Sequence, residues 1–119
     1  MRIMIVDDDS EMRAILSALI SRHDREVVLA ADGLEAVRIF QIDPKFDSAL
    51  IDIGIPKLSG IEVCTAIKKM SKSTRVIIMS GNINSENAKE ALTAGADELF
   101  PKPFKPAELF KVLNLADLP

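Results

Sequence analysis

The side chains able to act together chemically stand at the ends of short apolar runs. Asp7-Asp8-Asp9 follows Ile3-Met4-Ile5-Val6, and Asp52 follows Ser48-Ala49-Leu50-Ile51. Ser80-Gly81 follows Val76-Ile77-Ile78-Met79, and Lys102, held between Pro101 and Pro103, follows Glu98-Leu99-Phe100. Each run has the length and character of a buried strand, and Gly54 and Pro56 stop the one that carries Asp52. If the first and third strands are neighbours, Asp7, Asp8 and Asp52 meet at one edge. Carboxylates about 4 Å apart repel by about 4 kcal/mol at an effective dielectric near 20, so such a group needs protons or a cation. Oxygen donors with no His or Cys nearby suit Mg2+, with Mn2+ as a substitute. The Ser80 hydroxyl, a close backbone approach at Gly81 and the Lys102 ammonium would complete a cradle for a phosphoryl group and its metal.

Each member also has a plainer reading. Acidic residues ahead of a helix cap it and favour its dipole, and Asp9 is read as such a cap. A lone Asp after a strand forms turns, Ser-Gly is an ordinary turn pair, and a lysine between prolines is usually a solvated loop residue. Their conjunction at successive strand ends is what carries the chemical reading.

The elements that must position these groups alternate five times. Residues 3–6, 26–30, 49–53, 75–79 and 98–100 read as strands. Between them lie amphipathic segments, the pattern of βα units on a parallel sheet with helices on both faces. The first helix is predicted over 10–22 with Met12, Ile15, Leu16, Leu19 and Ile20 inward, and the second over 33–41 with Leu34, Val37 and Phe40 inward. Ile61, Cys64, Ile67 and Met70 make the stripe of the third. The fourth, 85–94, presents only Ala88, Ala91 and Leu92 and ends at Gly95, so it is expected to be the most mobile. The last starts at Pro106 and carries Leu109, Val112, Leu113 and Ala116.

Composition narrows the class. The 119 residues are 48% hydrophobic with a net charge of −3, enough for the core of one domain spanning 1–119. No linker or output domain is expected in this chain. Charges are interspersed, which argues against direct nucleic-acid or membrane binding. Cys64 is the single cysteine, so no internal disulfide forms, and no signal peptide or span precedes residue 3; a cytoplasmic protein is expected.

The whole chain resembles the receiver domains of two-component response regulators. The likeness rests on Ile5-Val6-Asp7-Asp8, Leu50-Ile51-Asp52-Ile53-Gly54-Ile55-Pro56, Ser59-Gly60, Met79-Ser80-Gly81, Gly95-Ala96-Asp97 and Pro101-Lys102-Pro103-Phe104. It implies a flavodoxin-like doubly wound (βα)5 fold of the α/β class with strand order 2-1-3-4-5. It also implies that Asp52 accepts a phosphoryl group from a histidine kinase or phosphotransfer domain. Asp8, Asp52 and the Gly54 carbonyl would hold Mg2+, with Asp7 assisting through water, and the backbone at Ile53 and Gly81 would line the phosphate. Lys102 would pair with phosphoryl oxygens, and Ser80 would turn toward the phosphate and report its arrival. The change would spread to the fourth helix, last strand and last helix, and so to a downstream protein or fused output domain, with a homodimer as one outcome. Such a protein is a signalling phosphoacceptor that assists its own phosphorylation and dephosphorylation, and not an enzyme acting on external substrates.

The chain departs from the family pattern at three places. Leu99 stands where an aromatic often lies three residues before the lysine, with Phe100 one step later on the other face. Gly54 and Asn82 occupy the two positions that tune self-dephosphorylation in the family. Rival readings are a haloacid-dehalogenase-like phosphatase built on Asp7-Asp8-Asp9, a flavin binder of the same fold, and a receiver used only for docking. The first leaves Asp52 unexplained and lacks the expected residues at Ser10-Glu11; the second lacks a hydroxyl-rich phosphate loop and any Trp or Tyr. The complete set of Asp7, Asp8, Asp52, Ser80 and Lys102 argues against the third. His23 is read as a solvated loop residue, and Cys64 and the scattered methionines as core.

Overall fold

A computed structural model describes residues 1–21 and 25–115 of the chain. Five strands alternate with five helices: β1 (Arg2–Val6), α1 (Ser10–Ile20), β2 (Glu26–Ala30), α2 (Gly33–Ile42), β3 (Ser48–Asp52), α3 (Gly60–Met70), β4 (Arg75–Ser80), α4 (Ser85–Ala94), β5 (Glu98–Pro101) and α5 (Pro106–Val112). The strands form one parallel sheet in the order β2-β1-β3-β4-β5. This is the doubly wound order expected from the resemblance.

The period-2 alternation of the strands divides the core in two. Met4, Val6, Ala49, Ile51, Val76 and Ile78 face α2, α3 and α4, where they meet Ala36, Phe40, Val63, Cys64, Ile67 and Ala91. Ile3, Ile5, Leu50, Ile77, Met79 and Phe100 face α1 and α5, against Leu16, Ile20, Leu109 and Leu113. The central strands are buried on both faces, as a covered parallel sheet requires.

Helix starts follow from short polar side chains. The Asp9 carboxylate accepts from the backbone N–H groups of Glu11 and Met12, the expected cap. Ser59 and Glu62 form a reciprocal capping box at α3, and Asn84 and Asn87 form one at α4. α4 ends at Gly95, whose φ of 99° needs a residue without a Cβ. Two expectations about helix faces are corrected. Ile15 is 54% exposed and Leu92 63% exposed, although both were expected to point inward. On α1 the buried places of the stripe are taken by Leu16 and Ile20, and on α4 by Ala91. Boundaries differ by one or two residues: β3 ends at Asp52, not beyond it, and α1 ends at Ile20. The predicted roles of His23 and Ala116 lie outside the described residues. No helix among the described residues is long and apolar enough to cross a membrane.

Candidate functional site

In the order β2-β1-β3 the winding of the chain reverses between β1 and β3, and the crevice outside the carboxyl ends of those strands is the natural site. β1 and β3 are paired directly, with Val6 opposite Ile51, so Asp7 and Asp52 emerge side by side. Asp52 lies opposite Met79 on β4, and Ser80 lies opposite Pro101 on β5, which brings the remaining groups to the same edge. The register therefore brings Asp7, Asp52, Ser80 and Lys102, which lie far apart in sequence, to one edge of the sheet.

Asp7 is buried, with its side chain 1% exposed. Its N–H donates to the Ala30 carbonyl at 3.1 Å, and its Oδ1 accepts from the Asp9 N–H at 3.0 Å. The Arg13 guanidinium donates to the Asp7 carbonyl at 2.6 Å. Asp52 is partly buried, and its Oδ1 accepts from the Gly54 N–H at 3.1 Å. Lys102 Nζ bridges the two carboxylates, 3.0 Å from Asp52 Oδ2 and 3.3 Å from Asp7 Oδ2. Burial alone would lower the Lys102 pKa, but the hydrogen bond and charge of Asp52, followed by those of Asp7, outweigh it and hold the ammonium above its ordinary range. The lysine is fixed from its own backbone, whose N–H donates to the Ser80 carbonyl at 2.9 Å.

Asp8 is exposed, and no cation among the described residues pairs with it. One carboxylate oxygen each from Asp7, Asp8 and Asp52 lies within 4.8 Å of the others. Three carboxylates against the Lys102 ammonium, with the Arg13 guanidinium on the Asp7 carbonyl, leave the site net negative. Its donors are all oxygens, which fits a hard divalent ion.

The Ser80 side chain is buried and its Oγ accepts from the Asn82 N–H at 3.1 Å. The Asn82 carbonyl in turn accepts from Asn87 Nδ2 at 2.8 Å, so a short hydrogen-bonded path runs from the hydroxyl to the first turn of α4. A Cβ at Gly81 would meet nothing within 4 Å, and one at Gly54 only Asp52 Oδ1 at 3.9 Å, so space is open over the acceptor carboxylate. One expectation is corrected here. The Ile53 N–H donates to the Met79 carbonyl at 3.0 Å as a continuation of the sheet ladder, so it is not free to meet a phosphate in this conformation. The amide that faces the carboxylate is Gly54's. Leu99 packs against the α2–α3–α4 core and Phe100 against the other, the opposite faces expected of them.

Two contributors were not assigned a role from sequence. Arg13 gave no signal beyond being a basic residue on a helix. Gly60 was visible in Ser59-Gly60, but its reason is tertiary: a Cβ there would lie 2.6 Å from the Asp52 carbonyl oxygen and 2.8 Å from Ile53 Cα.

A doubly wound parallel sheet with an acidic, lysine-bridged crevice at its switch point defines an α/β protein whose site is suited to a hard cation. Comparison with known proteins places it further. The response regulator receiver domain family matches residues 3–114, and the chain belongs to that family, whose role is that of phosphoacceptor in two-component signalling. The response regulator MprA of Mycobacterium avium (strain 104) is 34% identical over 109 residues, covering 92% of this chain and 47% of that protein. The chain thus spans about half the length of the curated relatives it matches. The chemotaxis protein CheY4 of Vibrio cholerae superposes with a TM-score of 0.88 at 30% identity, over 95% of both chains. The receiver domain of a sensor histidine kinase from Pseudomonas aeruginosa PAO1 superposes with a TM-score of 0.84 at 28% identity, over 95% of this chain and 93% of that one. The structure of that domain has a magnesium ion coordinated in its active-site cleft.

Proposed function

We propose that Asp52 is the phosphoacceptor of this receiver domain, taking its phosphoryl group from the phosphohistidine of a histidine kinase or phosphotransfer domain. The observation that carries the reading is the bridge of Lys102 Nζ between Asp52 and Asp7 beside the exposed carboxylate of Asp8. In the transfer, a P–O bond to the Asp52 carboxylate forms as the donor's P–N bond breaks, and the imidazole nitrogen keeps that bond's electron pair and takes up a proton from solvent. A loose phosphoryl-transfer transition state spreads charge over three oxygens, so positioning and electrostatic stabilisation suffice. Lys102 supplies a fixed positive charge 3.0 Å from the acceptor, and the Gly54 N–H orients the other oxygen. Asp7, Asp8, Asp52 and the Gly54 carbonyl would hold Mg2+, or Mn2+ in its place. The ion, when bound, offsets the excess of negative charge and polarises phosphoryl oxygens.

After transfer, Lys102 is positioned to follow the phosphoryl oxygens. Ser80 Oγ exchanges its Asn82 contact for the phosphate, which alters the path to α4. A two-state shift of α4, β5 and α5 then signals to a downstream protein or an attached output domain, with dimerisation as one form of output. Gly81 bounds the phosphate side of this loop. The protein works as a cytoplasmic signalling component and not as an enzyme on free substrates. Intact mass after incubation with acetyl phosphate, with and without Mg2+, tests the reading. A single Mg2+-dependent adduct on Asp52, absent from Asp52→Asn, is expected. Labelling at Asp7, or none in folded protein, would overturn it. Lys102→Ala should still be labelled but lose the conformational response.

A further inference from the structure

The loop that follows Asp52 carries Gly54, and its sharpest bend is a three-residue turn in which the Leu58 N–H donates to the Pro56 carbonyl at 2.9 Å across Lys57, a non-glycine residue at a φ of 71°. That turn sets the bend but not where the loop sits. Its position is held by α2, an element with no residue in the site. The N–H of Gly33, the first residue of α2, donates to the Pro56 carbonyl at 3.2 Å. Gly33 approaches the loop so closely that a Cβ there would lie 2.3 Å from the Leu58 carbonyl oxygen and 2.7 Å from Leu58 Cβ. Backbone cannot yield as a flexible side chain can, so only glycine fits. The preceding residue, Asp32, caps α2 by accepting from the Glu35 N–H at 2.8 Å, and its other oxygen pairs with Lys57 Nζ at 3.4 Å. The backbone bond from Glu35, then the Lys57 ammonium, hold this carboxyl below its ordinary range. One end of a helix thus grips three consecutive residues, Pro56, Lys57 and Leu58. On the opposite side Gly60 closes on the Asp52 backbone, and its N–H donates to the Ile53 carbonyl at 3.0 Å.

We infer that the N-terminus of α2 is the anchor of the acceptor loop, with Gly33 and the Asp32–Lys57 pair acting as positioning residues for Gly54. The inference rests on the reading that the Gly54 carbonyl and the three carboxylates form the Mg2+ site. Gly33 contributes most, because its contact is backbone to backbone; the exposed Lys57 contributes less, since solvent screens such pairs. Outer groups that orient metal ligands change affinity by about 10- to 100-fold when removed. Gly33→Ala should therefore weaken Mg2+ binding by about 10-fold, at the low end of that range because it shifts a ligand without deleting it. Lys57→Gly, which keeps the backbone conformation and removes the ion pair, should weaken it about 2- to 5-fold. Lys57→Arg should restore it.

The test is Mg2+ titration by calorimetry on the full chain, together with hydrogen exchange of the Gly54 amide in metal-free protein. Gln41→Gly, a destabilising change at an exposed position in the last turn of α2, away from the loop, is the control for stability alone. Weaker binding and faster Gly54 exchange in Gly33→Ala and Lys57→Gly, with wild-type values in Lys57→Arg and Gln41→Gly, is the expected result. Wild-type Mg2+ affinity and Gly54 exchange in Lys57→Gly and Gly33→Ala would overturn the anchor. If Gly33→Ala does not fold, the Lys57 pair of variants decides alone. A wild-type protein that binds no Mg2+ would instead defeat the underlying metal reading, while the Gly54 exchange rates still judge the anchor.

Discussion

The acidic crevice should make the metal-free protein less stable than its packing allows, and Asp8→Asn is the perturbation that isolates this. Asp7 and Asp52 share Lys102, whereas Asp8 brings a third charge within 4.8 Å with no cation of its own among the described residues. At that separation a pair of like charges repels by about 3.5 kcal/mol at an effective dielectric of 20 and about 0.9 kcal/mol at 80. Asp8 is exposed and Lys102 offsets part of the field, so the lower figure applies. Its carboxylate makes no hydrogen bond among the described residues, so replacing it by an amide removes charge and little else. Asp8→Asn should thus stabilise the protein by about 1 kcal/mol in chelator at low ionic strength. For a chain of this length the entropy of unfolding is about 250 cal/mol/K, so the expected rise in Tm is about 4 °C. Magnesium should act oppositely. At ten times its Kd it adds about 1.4 kcal/mol to wild type by mass action, and much less to the variant. The assay is thermal unfolding of both proteins in chelator and in Mg2+, repeated at high salt, where screening should shrink the difference. A variant that melts at or below wild type in chelator, or that gains as much from Mg2+ as wild type does, would refute the electrostatic account.

Three other outcomes are expected. Gly60→Ala forces a Cβ against the Asp52 carbonyl oxygen, and should cost about 2 kcal/mol in urea unfolding and reduce Asp52 labelling further than that loss explains; wild-type stability would count against it. Asn87→Ala removes the amide that holds the Asn82 carbonyl and the partner of the Asn84 N–H, so amides of 82–84 should exchange faster and stability fall by about 1 kcal/mol. Unchanged exchange there would disconnect Ser80 from α4. Burial pushes the Cys64 thiol from 9.0 up to about 11. A raised folded value favours the protonated native state, so this contribution is complete below about pH 9 and is lost as pH rises toward 11. Cys64→Ala should flatten the decline between pH 9 and 10, and an equal slope in both proteins would remove Cys64 as its cause.

Much of this protein is local in origin and was legible in the chain. Short apolar runs ending in Asp7, Asp52, Ser80 and Lys102 specify strands whose carboxyl ends bear polar groups, because period-2 burial and the breaking power of Gly54 and Pro56 act over a few residues. The Asp9 cap is likewise local, since the groups it satisfies lie two and three residues away. What the run of three aspartates cannot reveal is which of them is buried. That is decided by the pairing of β1 with β2 and β3, which seals Asp7 under the crevice and leaves Asp8 in solvent, while the pairing of β5 with β4 brings Lys102 to Asp7 from 95 residues away. Register also decided that the Ile53 amide continues the ladder to Met79 and that Gly54's turns to the carboxylate. Ile15 and Leu92 misled for a related reason: helical spacing reports an apolar stripe, but tertiary packing sets which of its members are covered. Nothing in the sequence shows why Gly33 and Gly60 must be glycine. Their necessity exists only where two backbones meet closer than a Cβ allows, and that distance is a property of packed elements.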